Sequence, residues 1–190
     1  MNEDPILQPD LIWMQRLTES DEKALASLMR MYYDGLYNYA SRFTKDDALI
    51  KDCIQEVFIS LWQRRNTANN ILSCKYYLLR AIKNKVLKAL HKNIRTTSLP
   101  PGEYEFYYEF STERLIIDKQ ISEEKTCRLR NTLSCLSTRQ KEIIYLKYYQ
   151  YLDHGQIAEL MNISRQSVYN LLHETISKLR DFWHAEFVTR

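Results

Sequence analysis

Gln166, Tyr169, Asn170 and His173 are spaced i, i+3, i+4 and i+7, so on a helix they project from one face. A carboxamide offers a donor beside an acceptor, the pair that matches an adenine edge in the DNA major groove, and Arg165 can fork onto a guanine or a phosphate. Ser164 and Ser167 put hydroxyls and backbone N–H groups at the start of the same helix, where a phosphate is stabilised. The alternative for such a face is plain solvation, because short-turn helical pairs also occur in proteins that never touch DNA.

The elements that must position these residues are written in the stretch from Leu152 to Arg180. Asp153 is spaced to cap a first helix, with Gln156 three residues on to return the bond. Ile157, Ala158 and Leu160 can face a core. Met161, Asn162 and Ile163 are expected as a turn, with Asn162 at the point where a left-handed residue is tolerated. Ser164 then caps a second helix whose expected buried stripe is Val168, Leu171, Leu172, Ile176 and Leu179. The pattern is that of a helix-turn-helix.

A second charged feature lies elsewhere. The formal net charge of the 190 residues is only +3, but from Val57 to Gly102 there is no Asp or Glu. Arg64, Arg65, Lys75, Arg80, Lys83, Lys85, Lys88, Lys92 and Arg95 all fall inside that block, which points to a polyanionic partner. The alternative is a basic surface with no partner. Cys53, Cys74, Cys127 and Cys135 show no C-x-x-C pairing and no His at zinc spacing, so no metal or cofactor is expected and core thiols are the reading. No signal peptide and no membrane span are legible, so a soluble, cytoplasmic protein is expected.

With 3 glycines, 4 prolines and long 3.6-residue periodicity, the chain is expected to be all-α. A short helix over Leu11–Leu17 follows start signals at Pro9 and Asp10. A cap at Ser20 opens a block with Ala24, Leu25, Leu28, Met29, Tyr32, Tyr33, Leu36, Tyr37, Ala40 and Phe43 on one apolar face. A second block, Asp47–Trp62, carries Ala48, Ile54, Val57, Phe58 and Leu61; a third runs from about Ser73 to Lys92 beyond the polar loop Asn66–Asn70. Pro100, Pro101 and Gly102 then break helix, and glutamates alternate with aromatics. Helices near 123–134, 138–149, 154–160 and 164–186 follow, the second opened by Ser137 and Gln140 in capping-box spacing. The expected architecture is two small helical domains, 10–95 and 123–187, joined by a linker, 96–122, with the helix-turn-helix in the C-terminal domain.

Asp52-Cys-Ile-Gln55-Glu56-Val-Phe58-Ile-Ser-Leu61-Trp62 resembles the D-x-x-Q-E-x-F-x-x-L-W signature of the sigma-70 family of bacterial RNA polymerase initiation factors. Tyr77-Leu78, Arg80 and Asn84 look like the Y-L-x-R-x-x-x-N segment that follows it there. Leu136-Ser137 and Ile157-Ala158-Glu159 through Val168 resemble that family's second DNA-binding domain. The resemblance covers about residues 20–92 and 123–182, in the family's order, and the short two-domain length is similar to the extracytoplasmic-function (ECF) subgroup.

The resemblance implies a non-enzymatic specificity subunit whose partners are bacterial core RNA polymerase and promoter DNA, with no small-molecule substrate. The face of Asp52, Gln55, Glu56 and Ile59 is implied to dock on polymerase; without the family pattern, Asp52 and Glu56 read rather as merely solvated. Minus-ten recognition and melting are implied for Arg64, Arg65, Asn69, Asn70, Tyr76, Arg80, Lys83, Asn84, Lys85 and Lys88. An opened strand needs stacking surfaces and positive charge, and Tyr77 is open between stacking and core. Asn69 and Asn70 sit in a loop that resembles the one holding an unpaired base. Ser164, Arg165, Gln166, Ser167, Tyr169, Asn170 and His173 are implied at the minus-thirty-five element. The linker, acidic at Glu103, Glu105 and Glu109, is implied to thread the polymerase channel, while its aromatics leave packing between domains or against a partner both open. An anti-sigma factor, often membrane-bound in this subgroup, is expected by resemblance. Two rivals remain on the sequence: a helix-turn-helix regulator that never enters polymerase, and a nucleic-acid enzyme, against which no H-x-E motif or Gly-rich phosphate loop is found.

Overall fold

The computed structural model describes residues 9–93, Phe106 and residues 131–188. All regular structure among them is helical. Two compact units divide between Glu105 and Phe106, inside the segment read as a linker. Cys127, most of that linker and most of the expected helix 123–134 lie outside the described residues; of that helix, residues 131–134 are described and helical.

The N-terminal unit consists of α1 (Pro9–Thr18), α2 (Glu22–Ala40), α3 (Asp47–Gln63), a 3-10 turn (Arg65–Asn70) and α4 (Cys74–Asn93). Their ends follow from side chains that satisfy the first unpaired N–H groups of each helix. The cap of α2 is Asp21, whose Oδ1 accepts from Lys23 N at 2.8 Å. Ser20, expected as that cap, instead turns the chain at φ 62. Asp46 caps α3 by accepting from Leu49 N at 3.0 Å. Asp47, one residue on, accepts from Tyr37 Oη of α2 at 2.6 Å and pairs with Lys51 at 2.7 Å, which holds its carboxyl below the usual range. Ser73 Oγ accepts from Tyr76 N at the start of α4.

Leu17, Leu28, Leu36, Tyr39, Ile50, Ile54, Phe58, Leu61, Leu78 and Ile82 form the core of this unit. Helix α2 packs on α1, α3 and α4, and α1 covers the 3-10 turn. Each large apolar side chain buried this way contributes about 1.5–3 kcal/mol. Tyr39 was absent from the expected face of α2 and Ile50 from that of α3, yet both are fully buried; Ala48 is exposed, since α3 turns Ile50, Ile54 and Val57 inward instead. The core also contains a polar contact: Tyr32 Oη donates to the buried carboxylate of Asp10 at 2.7 Å. Burial, and then that hydrogen bond, push the Tyr32 phenol well above its ordinary value.

The C-terminal unit contains α5 (Thr138–Ile144), a π-helical turn (Tyr145–Tyr149), α6 (His154–Met161) and α7 (Arg165–Val188). Ser137 and Gln140 form the expected capping box. The helix expected to run through 149 is α-helical only to Ile144; Gln150 N then bonds to Tyr145 O, a five-residue closure. The wider turn leaves Tyr145 and Tyr149 stacked at 5.8 Å, and Gln150 Nε2 donates to Tyr145 Oη at 2.8 Å. Phe106 packs its ring 5.8 Å from Tyr145 and is buried.

The turn between α6 and α7 is a Schellman motif. Asn162 takes the left-handed conformation at φ 53, ψ 49, Ile163 N bonds to Ala158 O at 2.9 Å and Asn162 N to Glu159 O at 3.3 Å. Met161, expected in the turn, is the last residue of α6. On α7 the buried stripe is Val168, Leu172 and Thr175. Ile176 and Leu179 were expected there, but Ile176 is exposed and Leu179 half-buried. Thr175 takes the buried place because its hydroxyl is satisfied by donating to Leu171 O at 2.6 Å.

The described cysteines are free thiols: Cys53 and Cys74 are buried and Cys135 is exposed. Burial, with the nearby charge of Asp10 adding to it, pushes the Cys74 thiol up to about 12; burial raises Cys53 as well. Since the thiolate is the nucleophile, both are expected to resist iodoacetamide at neutral pH in the native protein, while Cys135 is alkylated. Peptide mapping by mass spectrometry, before and after denaturation, checks this; native labelling of Cys74 at the rate of Cys135 would contradict the packing.

Candidate polymerase and nucleic-acid interface

On α3 the pattern of burial leaves one ridge outside. Cys53, Ile54, Val57, Phe58 and Leu61 face the core, while Asp52, Gln55, Glu56 and Ile59 are exposed on the opposite side. Ile59 is 46% exposed, an apolar side chain set among polar ones. Such a ridge has an apolar centre and a polar rim, the anatomy of a protein-binding patch.

Helix α4 buries Cys74, Leu78, Leu79, Ile82 and Val86 and presents Arg80, Asn84 and Lys88 outward. Among the residues of this unit expected to meet DNA, Lys83, Arg65 and Lys85 are held by partners on other elements or connections. Lys83 is only 5% exposed, with its ammonium 5.8 Å from the centre of the Phe43 ring, so it does not lie on the exposed face with Arg80 and Lys88. Its position one residue past Ile82 turns it toward α2's C-terminal end, where an aromatic face accepts a cation. Arg65 stacks its guanidinium 4.8 Å from the Trp62 ring centre and donates to Ser20 Oγ at 2.9 Å and Trp62 O at 3.1 Å. Those contacts tie the 3-10 turn to the α1–α2 connection. Trp62 is half-buried under that cation.

Lys85 reaches from α4 to α3, where its Nζ lies 2.8 Å from Glu56 Oε2. The hydrogen bond from Lys85, and the charge of Lys85 and then Lys88, hold the Glu56 carboxyl below the usual carboxylate range. With side-chain exposures of 29% for Lys85 and 64% for Glu56, the pair contributes at most about 1 kcal/mol. Its importance is positional: the ridge on α3 and the basic helix share an edge.

Around the end of α3, Arg64, Asn69 and Asn70 are exposed, while Ala68 anchors the 3-10 turn in the core. Tyr76 and Tyr77 are both half-buried, and Arg80 Nη1 reaches Tyr76 Oη at 3.5 Å. Leu72, which sequence reasoning passed over, is 94% exposed at the tip of the connection to α4. A single leucine in a loop gives no periodic signal, so no pattern could have found it.

In the C-terminal unit, Ser164, Arg165, Gln166, Ser167, Tyr169, Asn170 and His173 are all exposed on the first half of α7. Ser164 Oγ accepts from Ser167 N at 3.0 Å and lies 2.8 Å from Ser167 Oγ. Gln166 Nε2 donates to Asn170 Oδ1 at 3.0 Å, so the two amides are interlocked. That bond uses one donor of Gln166 and leaves its carbonyl oxygen as an acceptor and the Asn170 amino group as a donor on exposed residues. Two residues outside the sequence-based set belong to the same surface. The His154 ring sits edge-on to Tyr169 at 4.2 Å. Gly155 lies under the Arg165 guanidinium, where a β-carbon would come within 3.0 Å of Arg165 Nη2. Both contacts cross from α6 to α7, so only the closed turn brings them together.

Among the described residues no cluster of His, Cys, Asp or Glu is arranged to hold a metal ion, and no helix is long and apolar enough to cross a membrane.

Comparison with known proteins agrees with this geometry. The Sigma-70 region 2 family matches residues 28–96 and the Sigma-70, region 4 family matches residues 128–179. Among curated proteins none matches the chain. Of solved structures, CnrH in complex with the cytosolic domain of CnrY aligns with a TM-score of 0.57 at 18% identity, covering 94% of this chain and 99% of that one. The sigma factor RpoE in complex with the anti-sigma factor NepR from Bartonella quintana aligns with a TM-score of 0.58 at 14% identity, covering 88% and 99%. These likenesses support the fold. The region 2 match includes the α3 ridge and the basic helix, and the region 4 match includes the helix-turn-helix, together more than half of the chain. A basic helix beside a polar-rimmed ridge, and a capped recognition helix behind it in sequence, are therefore the parts of a single known machine: the chain belongs to the sigma-70 family of RNA polymerase sigma factors, with the two-domain, region 2 and region 4 build of the ECF subgroup.

Proposed function

We propose that the protein grips a promoter at two points while held on core RNA polymerase. The ridge of Asp52, Gln55, Glu56 and Ile59 docks on polymerase. Arg64, Asn69, Asn70, Tyr76, Arg80, Asn84 and Lys88 meet the minus-ten element, with Lys85 available at the edge and Lys83 and Arg65 supporting the frame from within. The first half of α7, Ser164 to His173, reads the minus-thirty-five element. The observation that carries this assignment is the interlocked Gln166–Asn170 pair on an exposed helix face, since it leaves an acceptor and a donor, the two kinds of group an adenine edge pairs with. Residues 10–95 and 123–187 are assigned as the two working domains, with 96–122 passing through polymerase.

Neither DNA contact has to be strong alone. Polymerase makes them simultaneous, so the second contact forms at high effective concentration. Phosphate contacts supply affinity that falls with salt, and the α7 face supplies sequence preference. The chain performs no catalysis in this scheme. It acts in the cytoplasm, where polymerase and chromosome are, and an anti-sigma factor is its proposed inhibitor. Both structural relatives were solved with a regulatory partner bound, CnrH with the cytosolic domain of CnrY and RpoE with NepR, which supports that last assignment.

Two substitutions separate the roles. Replacing Asp52 and Gln55 together by Ala avoids disturbing the Glu56–Lys85 pair and should weaken core polymerase binding by about 5–30-fold, the effect of losing roughly 1–2 kcal/mol of interface contact. A fluorescence-polarisation titration with core enzyme measures this, and an affinity within twofold of the parent rejects the docking role. At the other end, Gln166→Ala or Asn170→Ala should remove about 1–3 kcal/mol of discrimination at one or two adjacent base pairs of the upstream element. Run-off transcription from a promoter panel substituted position by position reads the effect; a uniform loss at all positions shows that these residues are not base readers.

A further inference from the structure

Helix α1 and the turn into α2 precede residues 28–96, the segment matched to Sigma-70 region 2, and the two-point grip gives them no task. Their place in the fold supplies one. Helix α1 buries Met14 and Leu17 and covers the 3-10 turn, whose Ala68 is buried while Asn69 and Asn70 stay exposed. Backbone bonds fix the chain beyond α1: Glu19 N donates to Arg16 O at 3.0 Å, Ser20 N to Leu17 O at 3.0 Å and Asp21 N to Arg16 O at 3.2 Å. Ser20 is left-handed there, at φ 62, a conformation that glycine adopts freely and serine does not. The serine supplies what glycine lacks, a hydroxyl that accepts from Arg65 Nε at 2.9 Å. The same guanidinium lies 4.8 Å from the Trp62 ring centre and donates through Nη1 to Trp62 O at 3.1 Å. One planar group thus joins the end of α3, the 3-10 turn and the α1–α2 connection, a task for which a lysine has no fork.

We propose that Arg65 is a positioning residue for promoter recognition: stacked on Trp62 and bonded to Ser20, it holds the 3-10 turn against α1 so that Asn69 and Asn70 are preset for the minus-ten strand. The inference rests on the role given above to Asn69 and Asn70. Arg65 is half-buried and engaged through Nε, Nη1 and its flat face, whereas its neighbour Arg64 is exposed. Of these two cations, Arg64 is the one placed to meet a phosphate. A 3-10 turn has poorer hydrogen-bond geometry than an α-helix, so its exposed residues depend on outside support to keep one arrangement. Base edges are read over hydrogen-bond distances, and a reader that wanders by an ångström loses selectivity before it loses charge attraction. The left-handed Ser20 fits this role, because its strain is retained where the hydroxyl is needed.

The test uses the full chain with core polymerase, thermal unfolding of each variant, and a promoter panel in which every base of the minus-ten element is replaced in turn. Replacing Asn69 and Asn70 together by Ala marks the position that the turn reads. Ser20→Gly removes the acceptor but relieves the left-handed strain, so it should unfold at or near the parent's temperature. It should nevertheless lose about 2–10-fold in run-off transcription, the effect of one hydrogen bond, and only with the preferred base at the marked position, which flattens discrimination there. Arg65→Lys, which keeps the charge, should flatten it likewise, and adding Ser20→Gly to Arg65→Lys should cost nothing more, since both break one contact. Parent-like discrimination in Ser20→Gly overturns the proposal. So does a loss by the same factor at every base together with a lowered unfolding temperature, because Ser20 would then only stabilise the unit. If Arg65→Lys matches the parent while Arg65→Ala loses activity on every template, Arg65 is a phosphate contact and the brace is rejected. If the paired asparagine variant changes no base preference, the role of the turn fails and this inference falls with it.

Discussion

Helix α4 carries six lysines and arginines and no acid between Cys74 and Asn93, and the N-terminal unit is organised around that fact. A helix of this composition gains nothing from pairs with its own neighbours, and its like charges at three- and four-residue spacing repel. It is held by apolar packing of Cys74, Leu78, Leu79, Ile82 and Val86 against the other helices. Burying that stripe leaves Arg80, Lys88 and Lys92 exposed to solvent. Where a cation cannot escape, the structure supplies an aromatic face, Phe43 beneath Lys83; where one lies at the edge, α3 supplies a carboxylate, Glu56 beside Lys85. The basic surface is thus a consequence of how the helix is packed.

The C-terminal unit solves a different problem, the aiming of a helix. Two capping boxes, at Ser137–Gln140 and Asp153–Gln156, and the left-handed Asn162 fix where each helix starts and stops. Gln140 extends this outward, since its Nε2 also donates to Glu174 on α7 at 3.1 Å. A polar side chain that is nearly buried becomes a brace between helices because all of its groups find partners. With α6 and α7 so constrained, Gly155 and Arg165 can lie in contact, and the exposed polar face of α7 is presented by a rigid support.

What the sequence revealed and what it hid divide along physical lines. Local hydrogen-bond signals were legible: both capping boxes and the left-handed Asn162 stand where their spacing placed them, while α1 begins at Pro9, ahead of the helix expected over Leu11–Leu17. Periodicity found the helices but set their rotation only approximately. Ala48 is exposed and Thr175 buried because tertiary packing and a satisfied hydroxyl outweigh a residue's average preference. Signals between distant residues were not legible. No window of sequence announces that Arg65 will bond Ser20, that Lys83 will lie over Phe43, or that a π-helical turn will seat Phe106 on Tyr145. The α3 ridge and the α7 face could be read in advance because each lies within a single helix.

The Glu56–Lys85 pair shows why the two surfaces of the N-terminal unit are not independent. As a largely exposed pair it is too weak to act as a latch on either surface, at most about 1 kcal/mol. Yet it places one group from the polymerase ridge and one from the basic helix on the same edge. In the docking proposed above, a polymerase group that engaged Glu56 would leave half-buried Lys85 without its carboxylate, and a DNA phosphate would be a natural replacement. In that scheme, docking on polymerase and contact with DNA would favour one another slightly. Neither surface has to be strong, since a small coupling of this kind adds to the larger effect of tethering.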